Sequence, residues 1–207
     1  MARDRSSPRQ RAQARASVAQ AAARLIVDHG FTDYGRAKRK AVEQMGLGQR
    51  ALMPSNREIE AAVAEYTRLF AGDEDDQRRG GMLSAALRAM EMLSPFRPQL
   101  TGALLNGTGT TQSCIQLHVF TDTTEWVGHH LEQEQIPFRL GERRVRLRRD
   151  DWRQQPVYAF EMVNEEVEAT VFSERLRGQR PLSPIDGRPV ERASTSAVSA
   201  MLSDPRP

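Results

Sequence analysis

The chain has 207 residues, 39% of them hydrophobic, enough for one sizeable core and at most a second, small helical one. Lys and Arg number 30 against 27 Asp and Glu, well interspersed, so the net charge of +3 and a pI near 9.5 only mildly favour anionic partners. A single cysteine, Cys114, excludes an internal disulfide and a multi-cysteine zinc site, and a reducing cytoplasm is the expected compartment.

The opening "MARDRSSPRQRAQARAS" is Arg- and Ser-rich but includes Asp4 and lacks the apolar stretch of a signal peptide, so it is read as the approach to a helix. From about Gln10 to His29, Ala16, Ala19, Ala23, Ile26 and Val27 recur at helical spacing, with Gly30 as a stop. "GRAKRKAVEQMG" predicts a second helix ending at Gly46, and a third begins at Ser55. There Ser55 and Glu58 have the spacing of a capping box, and Ile59, Val63, Tyr66 and Phe70 form one apolar face. After the acidic turn "GDEDD", a fourth helix through Leu83, Leu87, Met90 and Leu93 ends at Pro95.

Beyond Pro98 the pattern changes to short runs rich in β-branched and aromatic residues: "QLTGALL", "CIQLHVFT", "RRVRLR", "PVYAFEMV" and "EVEATVF". Between the second and third of these strands, "TTEWVGHHLEQEQIP" predicts a short helix burying Trp126, Val127 and Leu131. A loop-like stretch then leads to a last helix, "VERASTSAVSAML". No run is long enough to span a bilayer, and no membrane partner is expected. The expected fold class is α+β, a helical N-terminal segment before a mixed sheet. The divisions are 1–72 for that segment, 73–175 for the α/β core and 176–207 for the C-terminal loop and helix.

The stretch "LTGALLNGTGTTQSCIQLHVFTD" joins a hydrophobic strand to another through a Gly- and Thr-rich loop. It resembles the pattern of nucleotidyltransferases of the polymerase-β-like superfamily: a strand ending in Gly-Ser, a further glycine, then Ser-Asp-hydrophobic-Asp on the next strand. Gly102 falls at the first glycine, Ala103 at the serine, Gly107 at the inner glycine and Ser113 before the first acid. Ile115 and Leu117 take the apolar places. "AKRKA", "PSNREIE", "FTD" and "IPFRLGERR" extend the likeness to small bacterial nucleotidyltransferase-like proteins, over most of residues 15 to 195.

The resemblance implies a nucleotidyltransferase-type core that cradles a nucleotide or other phosphate at Gly102, Ala103, Gly107 and Ser113. The family's two acids, projecting from one strand face at i and i+2, grip Mg²⁺ ions that neutralise the triphosphate and activate the attacking oxygen. Cys114 and Gln116 occupy those two places here. A thiol is a poor partner for a hard cation, and an amide offers one weak carbonyl ligand. Glu168, inside an apolar strand, is the candidate for the family's third acid, with Glu161 as the alternative. The expectation is a catalytically degenerate protein with no metal site, or one that holds Mg²⁺ only weakly with its nucleotide. An active enzyme with relocated acids is the alternative.

A rival likeness lies at the N-terminus, where "ASVAQAAARLIVDHGFTD" is similar to the first helix of TetR-type DNA-binding domains. "QRALMPSNREIE" stands where the short recognition helix belongs, so a TetR-like helix-turn-helix nucleic-acid-binding regulator is kept as the second alternative and nucleic acid is not the first expected partner. "RLGERRVRLRRDDWR" suits either a phosphate or nucleic-acid contact or a charged edge strand. His118 is expected in a polar cleft or at a hydrogen-bonded core edge, and His129 and His130 on the surface. Oligomeric state has no signature.

Overall fold

The computed structural model describes residues 8–29, 31, 33–47, 53–70, 73–108, 113–184 and 187–203. The predicted stop at Gly30, the "QRAL" stretch and Gly109–Gln112 of the glycine-rich loop lie outside them, as does the side chain of Phe70. The chain forms two compact units, residues 1–71 and 72–207.

The first unit is three helices, α1 (Pro8–His29), α2 (Tyr34–Gln44) and α3 (Asn56–Phe70), with α2 and α3 both packed on α1. Small residues let them approach closely: Ala19, Ala22, Ala23, Ala37 and Ala41 are buried with Val18, Leu25, Ile26, Ile59 and Val63. The predicted capping box forms, since Ser55 Oγ accepts from the Glu58 N–H at 3.2 Å while Glu58 Oε2 accepts from the Ser55 N–H at 2.7 Å. A second cap is Asp33, whose carboxylate accepts from the Arg36 N–H at 3.0 Å and opens α2. α2 ends at Gln44 and α3 begins at Asn56, and residues 48–52 between them, where the TetR likeness puts its recognition helix, lie outside the described residues.

The second unit contains α4 (Asp73–Met92), β1 (Gln99–Thr101), α5 (Ala103–Asn106), β2 (Ile115–Phe120), α6 (Glu125–Gln133), β3 (Phe138–Arg148), β4 (Asp151–Met162), β5 (Glu165–Phe172) and α7 (Thr195–Ser203). Its five strands form one mixed sheet in the order β1-β2-β5-β4-β3, in which β2 and β5 are parallel and every other neighbouring pair is antiparallel. The class is α+β, with the helical segment preceding the sheet, as the sequence predicts.

Alternation sorts the side chains onto two faces. Leu100, Ile115, Leu117, Val119, Val167, Ala169, Val171, Tyr158 and Phe160 bury one face against α4, α6 and α7, through Leu83, Met90, Leu93, Val127, Leu131 and Val198. Burying them removes most of their apolar surface from water and is the main stabilisation of the sheet, at about 25 cal/mol per Å². The other face carries Gln116, His118, Glu168 and Thr170 towards one end and a smaller apolar group, Phe120, Val145, Leu147 and Phe172, towards the other. The segment after β5 crosses that second group, with Leu176 packed on it.

Several boundaries differ from prediction. The first strand stops at Thr101 rather than running to Leu105, because Gly102 turns the chain (φ +80°) and the helix-forming Ala103, Leu104 and Leu105 wind into α5. The run "GDEDD" is not a turn before α4 but leads into it, from Asp73. β3 begins at Phe138 and β4 at Asp151, so their hairpin is longer than predicted. The last helix starts at Thr195, because Ala193 pairs with Leu100 as a strand-like bridge and extends the chain before it. Trp126 is 61% exposed, not buried; Val127, Gly128 and Leu131 turn the buried side of α6 away from it. No helix among the described residues is long and apolar enough to cross a membrane.

Candidate functional site

The parallel pairing of β2 and β5 sets Gln116 directly opposite Glu168, with Thr101 of β1 on the other flank of Gln116. Cys114 lies just before β2, two residues back on the same side, and its thiol donates to Glu168 Oε2 at 3.3 Å. Gln116 Nε2 stands 4.0 Å from the same sulfur. The three residues named from sequence therefore meet at one place. Glu161 does not join them; it is exposed near the end of β4, opposite Glu166.

The fourth member is Arg143, on β3, whose guanidinium donates to the same Glu168 Oε2 that accepts from Cys114. Its side chain is 35% exposed and that of Glu168 25%, so the pair is partly sheltered and partly open to an incoming ligand. Burial, and next the Glu168 carboxylate, pushes the Cys114 thiol up to about 11, which keeps it protonated and a donor at neutral pH. The cluster holds one acid, one fixed cation, a neutral thiol and an amide. This donor set does not fit a hard divalent ion: the one carboxylate is already ion-paired, and no group of three or more His, Cys, Asp or Glu among the described residues converges on a metal position.

Gly102 abuts this cluster. Its backbone (φ +80°, ψ −157°) lies where essentially only glycine goes, and a Cβ there would sit 2.5 Å from Gln116 Oε1. Gly102→Ala is expected to destabilise the second unit by about 1–3 kcal/mol, from backbone strain alone, read as a lower urea midpoint. An unchanged midpoint would contradict the conformation assigned to Gly102.

Ala103 opens α5, and Gly107 closes it in the left-handed region with φ +69°. The N–H groups of Gly107 and Thr108 donate to Leu104 O and Ala103 O, so the inner glycine serves the turn first. Ser113 stands half-buried beside Cys114.

Sequence reasoning missed a second polar pair on the same face. His118, 8% exposed, accepts from Arg192 Nε at Nδ1 over 2.9 Å, and the Arg192 guanidinium stacks 5.2 Å from the Phe120 ring centroid and 5.6 Å from that of Phe172. Arg192 also donates to Arg177 O. Burial, then Arg192 and Arg143, hold His118 down to about 3, so the imidazole is neutral. Arg192 is itself drawn down to about 10, by burial and then by Arg180. The only trace in the sequence was a lone arginine in "PVERAS", which reads as helix. His130 is bound to α4, with Nε2 2.8 Å from Met92 O, while His129 is exposed beside Glu132.

Comparison with protein families, with curated proteins and with solved structures finds no match for the chain.

Proposed function

We propose that the chain is a nucleotidyltransferase-like protein that has exchanged metal-assisted transfer for binding of a nucleotide or other phosphate. The observation that carries this reading is the meeting of Cys114, Gln116 and Glu168 beside Gly102, at the places the family resemblance gives to three metal-binding acids and a phosphate-cradling glycine. Arg143 supplies the positive charge there. It neutralises Glu168, lets an anion approach that would otherwise be repelled, and offers further N–H donors to a phosphate oxygen. A single reduced thiol suits a cytoplasmic setting.

Arginine charge is permanent, so binding should not need a divalent ion. A fluorescent ATP analogue titrated with Mg²⁺ present and again with EDTA is expected to bind equally well in both. Arg143→Ala is expected to weaken binding roughly tenfold or more, the worth of one lost charged hydrogen bond. Binding seen only with Mg²⁺, or untouched by Arg143→Ala, would refute the reading.

A further inference from the structure

The β3–β4 hairpin outruns the sheet. β5 pairs with β4 only from Val157 to Met162, so Asp151–Pro156 and the facing residues of β3 form a two-stranded arm. The arm is anchored on one side, where Val145 and Leu147 are buried with Phe120 and Phe172, and where Leu182 N–H donates to Arg146 O at 2.6 Å.

Its other side carries Arg144, Arg146 and Trp152. Between Arg139 and Arg153 the chain has seven arginines against three acids. Arg139, Arg143 and Arg153 pair with Glu166, Glu168 and Asp151. Among the described residues no carboxylate pairs with Arg144, Arg146, Arg148 or Arg149. Trp152 remains 46% exposed with two of these guanidiniums on it, Arg144 at 4.6 Å and Arg146 at 5.6 Å from the ring centroid. Charge on an edge strand also discourages edge-to-edge pairing. That role calls for neither four cations without a carboxylate partner among the described residues nor an exposed aromatic ring on the neighbouring strand.

We propose that this arm is a binding site for single-stranded nucleic acid, with Arg144, Arg146, Arg148 and Arg149 on the phosphates and Trp152 as a platform for one base. Arginine rather than lysine fits this partner, because the planar guanidinium both bridges phosphate oxygens and stacks. A base has a π-face for Trp152, which an acidic peptide lacks. A duplex keeps its bases inside its own stack, so the open ring favours a single strand. The site stands apart from the nucleotide reading of the Glu168 cluster and needs no nucleoside triphosphate.

The test is fluorescence anisotropy of labelled oligo-dT and oligo-U 20-mers with the full chain across a salt series, without nucleotide. Four phosphate contacts predict a slope of log affinity on log salt near −3, at about −0.7 per contact on a single strand. Arg148→Glu with Arg149→Glu, at the exposed end of the hairpin, should cut that slope by about half. Trp152→Ala should weaken binding about tenfold at fixed salt with the slope unchanged, and Trp152→Phe should recover most of it. The proposal is overturned if neither oligomer binds. It is also overturned if a duplex or polyglutamate binds as tightly as the single strands, or if Trp152→Ala changes nothing while its melting curve shows a folded protein.

Discussion

Acidification from pH 7 to pH 5 is expected to cost the second unit about 2 kcal/mol of stability, most of it through His118. The imidazole titrates at about 3 in the folded protein, because burial and the neighbouring Arg192 and Arg143 penalise its charged form, against about 6.5 in an unfolded chain. Between those values the unfolded state binds the extra proton. Stability therefore rises with pH through that window and is lost as pH falls from about 6.5 towards 3, on the order of 4 kcal/mol in all.

Both tryptophans, Trp126 and Trp152, lie in the second unit, so urea unfolding followed by tryptophan fluorescence reports on that unit. Its midpoint should drop by about 1 M between pH 7 and pH 5. His118→Asn keeps an acceptor for Arg192 but has nothing to protonate, and should flatten the slope. An equally steep slope in His118→Asn would show that another group drives acid sensitivity.

Cys114→Asp combined with Gln116→Asp is expected to create an Mg²⁺ site that neither change creates alone. The double variant gathers three carboxylates around one guanidinium, since Gln116 faces Glu168 across the β2–β5 pair and Cys114 already touches it. Mutual repulsion should lower its stability without metal. Mg²⁺ at about a hundred times its dissociation constant should return roughly 2.7 kcal/mol, visible as a thermal shift that wild type lacks. A destabilised double variant indifferent to Mg²⁺ would mean that the two side chains and Glu168 do not share a cleft in solution.

Helices and strands with strong periodicity were legible because burial enforces it: α3 with its capping box, the buried face of β2 and the apolar run of β5 follow directly from residue spacing. What failed locally had weak or competing signals. Leu104 and Leu105 read as strand until the backbone turn at Gly102 detaches them into α5. The β4–β5 turn, Val163–Asn164, takes left-handed φ values of +53° and +62° without the glycine that usually marks such a turn. The cluster was half legible. Cys114 and Gln116 could be named because they stand where the resemblance puts two acids, and Glu168 because a carboxylate inside an apolar strand calls for a reason. Arg143 and Arg192 could not, because they reach the same sheet face only through the β3–β4 hairpin and the segment after β5, and charge in a sequence carries no record of its partner.

We propose that a fixed arginine, Arg143, stands at Glu168 where the family resemblance puts a metal. The most direct test of this is labelled-nucleotide transfer by the wild-type chain, with Mg²⁺ or Mn²⁺, to itself and to a mixture of other proteins. Labelling no greater than that of Glu168→Ala is expected, because one ion-paired carboxylate beside a thiol and an amide cannot hold the ion against its hydration shell. Robust metal-dependent labelling that disappears in Glu168→Ala would contradict it.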